Sequence, residues 1–361
     1  MASISLPKKG LEGVKLFCEN AQKGSYKTLN YSINLASSEI DDEGLHLITN
    51  AFKKDLFPLA TELILSDNPI TEKGLQELFD CLKNGHMTYM LLISLNQIPL
   101  NDNCLSYINQ YLNSTYATNL QGLSLDNCSL NECSIQLIQN IIKSKVFDNF
   151  LIFGLGGNSF GEKCKDIIEV LNKPNHLKKF TFHQNICNDE AMSLLIKQFD
   201  QGYYKNMNIL NLSYNNMNTL LPRFLCAFNK QNFPLLKRID LSGCFINHFI
   251  NSFSDSFSSY SNLLEEIILK DNSIDEEGLP LLLSTLQKNV DKQIRVLDIS
   301  WNDIGDEGAK LIVDFFGQPN NMPYLKVIFI AQNSIGSQFN KLASILTKRK
   351  ISTPAIESQW L

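Results

Sequence analysis

Short runs in which apolar and polar residues alternate recur along most of the chain. Each is followed by a polar turn and an apolar stretch with helical spacing. The segments LILSDNPITEKGLQELF from Leu63, IILKDNSIDEEGLPLLL from Ile267 and LDISWNDIGDEGAKLIV from Leu297 show the unit most plainly. In each, two Leu-type residues flanking one other residue share a face of a short strand, so the residue between them points the opposite way, to solvent. An Asn follows where the chain bends inward. Its amide can satisfy backbone groups that no strand partner reaches, and such groups are costly when buried unpaired. A Gly at Gly44, Gly74, Gly278 or Gly308 stands just before the second half and permits close backbone approach. The second half places Leu75, Leu78, Phe79 and Leu82, or Leu279, Leu282 and Leu286, at helical spacing. A period of about 30 residues with this content predicts a strand–turn–helix solenoid.

Indexed by the residue in the Asn position, about eleven units follow one another: Ser38, Asn68, a blurred third near Asn96, Cys128, Asn158, Asn185, Asn215, Cys244, Asn272, Asn302 and Asn333. In the third, Ile93 and Asn96 suit the strand while Leu100 and Cys104-Leu105 suit the helix, and an insertion in the turn reconciles them. Residues 1–28 are expected to form an N-terminal helical cap, with Leu11, Val14 and Phe17 on its apolar face; 29–347 hold the repeats, and 348–361 form a tail. The Ser- and Phe-rich stretch after Cys244 still spaces Phe249, Phe253, Phe257 and Tyr260 like a helix. Trp360 is expected either to cover the end of the core or to belong to a transport signal at 357–361. Parallel strands pack about 4.8 Å apart and helices about 8–10 Å apart. The mismatch predicts a horseshoe with strands on the concave face and helices on the convex face, wound right-handed.

Composition narrows what such an array can do. The net charge is only −5, and no basic stripe suited to nucleic acid is present. Lys348-Arg349-Lys350, the one basic cluster, reads as a solvated helix end favoured by the helix dipole. No apolar run is long enough to span a membrane, and the opening MASISLPKKGLEG lacks the apolar stretch of a secretory signal. A cytoplasmic monomer is expected, or a protein secreted into a host cytosol without a cleavable signal. The nine cysteines are odd in number and several fill repeat positions, as Cys128 and Cys244 fill the Asn position, so they read as small buried hydrophobes in a reducing compartment.

The unit L-x-L-x-x-[NC]-x-[IL]-x-x-x-G, with LSLDNCSL at Leu123–Leu130 as a Cys variant and LILSDNPITEKGL as an Asn variant, resembles the ribonuclease-inhibitor subfamily of leucine-rich repeats. The resemblance covers most of the chain. It implies the α/β horseshoe already derived, and a family whose members include enzyme inhibitors, Ran GTPase-activating proteins, actin regulators, immune-sensor domains and secreted bacterial effectors. An activator of the Ran type would use one polar side chain at the rim, for which Asn68 and Asn96 are candidates. Against it, the tail is basic and then neutral where that family carries a long acidic segment. The abundance of Asn, Lys and Ile is compatible with a bacterial effector acting on a host protein, or with a protist scaffold.

No chemistry stands out. FGLGGN at 153–158 is a turn of a repeat rather than a phosphate loop, the five His residues are scattered, and Cys128 and Cys133 have no zinc spacing. His183 faces the concave side two units from Asp240, too far for a hydrogen bond. No enzyme activity, cofactor or metal is expected. The solvent-facing columns are more informative. Stacking of the strands brings Ile268, Trp301 and Phe329 together, edged by Asp271, Asp298 and Lys270, with Asp240 and Tyr214 in the adjoining rows. Aromatic and aliphatic groups beside charges have the character of interface hot spots. A protein-binding scaffold with this patch as its partner-binding site is the expected function.

Overall fold

The computed structural model describes residues 2–6, 8–26, 31–173, 175–215, 217–259, 264–287 and 293–353. The chain divides into two compact units, Met1–Cys187 and Asn188–Leu361. The first alternates strands β1 (Ala2–Ile4), β2 (Tyr31–Asn34), β3 (Ala60–Ile64), β4 (Leu92–Ser94), β5 (Gly122–Ser124), β6 (Ile152–Gly154) and β7 (Lys179–Thr181) with helices α1 (Gly10–Gln22), α2 (Asp42–Lys53), α3 (Glu72–Lys83), α4 (Asp102–Leu112), α5 (Ile135–Lys143) and α6 (Cys164–Val170). The second holds α7 (Asp189–Asp200), β8 (Ile209–Asn211), α8 (Leu221–Ala227), β9 (Arg238–Asp240), α9 (Ile250–Ser259), β10 (Glu266–Ile268), α10 (Leu279–Gln287), β11 (Val296–Asp298), α11 (Gly305–Gly317), β12 (Val327–Phe329) and α12 (Phe339–Lys348). In both, neighbouring strands are parallel and follow chain order, the α/β solenoid architecture expected from the repeat.

Strand parity works as the alternation requires. Leu63 and Leu65, Leu123 and Leu125, and Leu297 and Ile299 are buried against the helices, which contribute Leu75, Leu78 and Phe79 or Ala309, Ile312 and Val313 to the same core. Residues between them face away. The register aligns Asn211 with Asp240, Asp240 with Ile268, Ile268 with Asp298, and Asp298 with Phe329.

The Asn position does its work through both ends of the amide. The Asn302 carbonyl accepts from the backbone N–H of Asn272 at 2.9 Å and of Ile274 at 3.0 Å, and its NH₂ donates to the carbonyls of Leu269, Ile299 and Ser300. Asn68 and Asn158 repeat the arrangement. Cys128 reproduces only the donor half, its thiol pointing at the Leu95 and Asp126 carbonyls.

The third repeat differs from expectation. Leu63 pairs with Ile93 and Ile64 with Ser94, which puts Ile98, not Asn96, in the Asn position, and no insertion is needed. Ile98 is fully buried. It can accept nothing, and the N–H of Ile70 bonds instead to the Asn68 carbonyl of its own repeat at 2.8 Å. Asn96 stands two places earlier and accepts from the N–H of Asp126.

The ends also hold more structure than the pattern announces. Ile4 continues the strand column beside Ile33, so the N-terminal segment carries a strand as well as its helix. Near the other end, Arg349 is not simply solvated. Its guanidinium lies 5.4 Å from the centre of the Phe316 ring and donates to the carbonyls of Phe316, Asn321 and Met322. Ser352 then bridges to Val327 beside β12. Trp360 lies outside the described residues. After Cys244, α9 forms with Phe253 and Phe257 buried in it and Phe257 stacked on Phe228; Phe249 ends a short 3-10 turn just before it, and Tyr260 lies outside the described residues. All nine cysteines are free thiols.

Candidate functional site

The face of the sheet opposite the helices carries two side-chain clusters, one in each unit. In the second unit, a left-handed turn residue follows every strand: Tyr214 (φ 53°), Gly243 (61°), Asp271 (55°), Trp301 (57°) and Gln332 (61°). The same column in the first unit is Ser37, Asp67, Gln97, Asn127, Gly157 and Gln184. Gly and short or flexible polar residues dominate it, because a Cβ clashes with the neighbouring carbonyl in this conformation. Tyr214 and Trp301 are the bulky exceptions.

Both exceptions are held across the sheet face. The Tyr214 ring lies over Gly243, where a Cβ would come within 2.3 Å of it. The Tyr214 hydroxyl donates to Asp271; burial first, then Asp271, Asp240 and Asp298, push its pKa up to about 12. Trp301 is 49% exposed, and the Lys270 ammonium sits 5.6 Å from its ring centre. Below them runs a repeated turn. The Oδ1 of Asp240 accepts from the N–H and hydroxyl of Ser242, and the Oδ1 of Asp298 from those of Ser300; Asn211 does the same for Ser213.

The structure therefore brings the eight sequence candidates into one unit but at different depths. Trp301 and Asp271 are exposed; Tyr214, Asp240, Lys270 and Phe329 are half-buried. Ile268 (4% exposed) and Asp298 (6%) form the floor between and beneath their neighbours.

Burial raises the Asp298 pKa and Asp240 adds to the rise, while the Ser300 bonds and Lys270 oppose it. An acid whose pKa is raised by folding favours the folded state in its protonated form, so that stabilisation is present at low pH and fades as pH rises through the folded pKa. Asp298→Asn removes the charge and keeps an acceptor, as Asn211 demonstrates in the same turn. The variant is expected to melt higher than wild type at pH 7 and to show no gain at pH 3. Melting curves at both values check this, and a lower melting temperature at pH 7 counts against it.

The first unit presents a polar cluster that the sequence did not single out. Asp126 accepts from the Gly156 N–H at 2.6 Å, from the Thr181 hydroxyl at 2.7 Å and from the Ser124 hydroxyl at 3.3 Å. It thus reaches from the end of β5 over β6 to β7. Glycines make the reach possible. A Cβ on Gly154 would meet the Ser124 hydroxyl at 2.5 Å and the Asp126 carboxylate at 2.9 Å, and one on Gly156 would meet the His183 ring at 2.0 Å. Two glycines of FGLGGN thus clear the sheet face for Asp126 and His183, and the third, Gly157, holds the left-handed turn position. Asp126→Ala is expected to lower unfolding free energy by about 2–3 kcal/mol, because it strands a buried hydroxyl and an N–H. Urea unfolding measures it, and a loss under about 0.5 kcal/mol would show the bonds to be incidental.

The rim candidates for GTPase activation are occupied. Asn68 is buried with both ends of its amide bonded, and the Asn96 carbonyl is taken by Asp126. Among the described residues, no group of three or more His, Cys, Asp or Glu is placed to hold a metal ion. In the same residues no helix is long and apolar enough to cross a membrane.

Residues 61–79 and 293–313 match the leucine-rich repeat family model. Solved structures similar to this chain include the yeast Rad7 and Elc1 complex, at 15% identity and a TM-score of 0.49 over 89% of this chain and 84% of that one. The leucine-rich repeat-containing protein LegL7 from Legionella pneumophila is 13% identical, with a TM-score of 0.43 over 95% and 98% of the two chains. A protein from Bacteroides fragilis is 14% identical, with a TM-score of 0.43 over 83% and 75%. No curated protein matches the sequence.

Proposed function

We propose that this chain, a leucine-rich repeat protein, is a non-enzymatic scaffold that binds another protein on the exposed face of its sheet in the second unit. The observation that carries the reading is Trp301. A large aromatic side chain occupies a left-handed position that the other repeats, Tyr214 apart, give to Gly, Asp, Asn, Gln or Ser, and stands half exposed beside Lys270. Unfavourable backbone conformations on bulky residues persist where the surrounding structure over-determines them, and they cluster at binding and functional sites. Trp301, Tyr214 and Phe329 form the contacting rim; Lys270, Asp271 and Asp240 supply charge; Ile268 and Asp298 lie beneath as a rigid floor. The two repeats with Cys in the Asn position, at Cys128 and Cys244, support membership of the ribonuclease-inhibitor-like subfamily.

The test is affinity capture with the full chain, identification of what is bound, and calorimetric titration of that partner against wild type and Trp301→Ala. Equal affinity for the two would reject this face as the binding site.

A further inference from the structure

The sheet face between Tyr214 and Trp301 has a charge pattern that calls for a cation. It carries three carboxylates, Asp240, Asp271 and Asp298, and one ammonium, Lys270, which acts on Asp298. That ammonium makes no ion pair with any of them among the described residues, lying over the indole instead. Asp240 and Asp298 each use Oδ1 for both bonds to their serines. Neither Oδ2 has a hydrogen-bond donor among the described residues, and neither is sealed from solvent without one. The two carboxylates flank Ile268 from adjacent strands on either side. Two strand spacings separate them, about 9.6 Å, and a guanidinium donating on both sides bridges about 8 Å between acceptors.

Resting on the proposed function, we propose that this part of the sheet face receives an arginine side chain from the protein partner, its guanidinium stacked on Trp301 and its N–H groups shared between the free oxygens of Asp240 and Asp298. Arginine suits it better than lysine. The guanidinium is planar, so it covers the indole face, and its forked donors reach two acceptors at once, whereas an ammonium is a compact and strongly hydrated point charge. The Lys270 ammonium lies over the indole in the unbound chain, and the arginine takes its place as Lys270 swings to solvent. Tyr214, fixed across Gly243 and bonded to Asp271, bounds the other side of this face.

The probe is a blocked peptide of alternating Arg and Gly, compared with its Lys and citrulline counterparts. Trp301 fluorescence is read in a Trp360→Phe background, which leaves one indole. The arginine peptide is expected to bind at least about five-fold more tightly than the other two, and Asp240→Asn to remove most of that preference. Asp314→Asn, on the helical side in α11, changes net charge equally and is expected to leave binding unaltered. Equal affinity for the arginine and citrulline peptides overturns the proposal. So does an equal loss in Asp314→Asn and Asp240→Asn, which would mean attraction to net charge alone. A natural partner that loses affinity for Trp301→Ala while arginine shows no preference overturns this inference and leaves the scaffold function standing. A partner indifferent to Trp301→Ala overturns the scaffold's binding face itself.

Discussion

Asn302→Leu is expected to lower unfolding free energy by about 3 kcal/mol. The side chain makes five hydrogen bonds in a fully enclosed position, tying the turn after β10 to the turn after β11. Leucine keeps the branched shape and removes the bonds without opening a cavity, so the loss reports the N–H groups of Asn272 and Ile274 and the carbonyl of Leu269 left unpaired; the Ile299 and Ser300 carbonyls keep Asn333 and Asp271 as donors. Each buried orphan costs about 1–3 kcal/mol, but the full total is not expected. Ile98 shows that an apolar residue can hold this position when the preceding turn redirects an N–H to its own carbonyl. Urea unfolding with an unchanged denaturant dependence measures the loss. A value below about 1 kcal/mol would mean that the redirected turn is as good as the ladder.

Trp301→Gly is expected to separate folding from recognition. Glycine takes a φ of 57° without strain, and releasing a bulky residue from the left-handed region returns roughly 1 kcal/mol. The indole is half exposed, so little core contact is lost with it. Stability should therefore hold or rise. Partner affinity should fall by about 2 kcal/mol or more, the range of a central aromatic anchor. Thermal melting and calorimetric titration of the same preparation give both quantities. A variant that melts well below wild type would show Trp301 to be a packing residue. Retained affinity would remove it from the interface.

Much of this molecule is legible in its sequence because one spacing rule governs it. Leu63, Leu65 and Asn68 fix strand, core face and turn together, and the same triplet at Leu297, Ile299 and Asn302 fixes them again. The third repeat blurs because Asn96 imitates the anchor two places early while the true position holds Ile98. Hydropathy alone scores Ile98 as one more core residue. The candidate face was legible in its membership, through strand parity, but not in its depth. Nothing local tells that Ile268 and Asp298 sink while Asp240, Lys270 and Phe329 around them stay half-buried. The left-handed column was available in the sequence as a file of Gly, Asp, Asn and Gln that Tyr214 and Trp301 interrupt. The Asp126 cluster was not, because its partner Thr181 is 55 residues away and the link depends on an absent side chain at Gly154.

Repeat arrays ordinarily tolerate excision of a single unit, since each one touches only those beside it. The reach of Asp126 past β6 makes the fifth, sixth and seventh strands an exception. Taking out the middle one would place two partners built for a gap of one strand directly side by side, with no glycine to leave room for the carboxylate. Across this stretch three repeats are inherited or lost together, and the three that Tyr214 links by reaching over Gly243 to Asp271 fall under the same constraint.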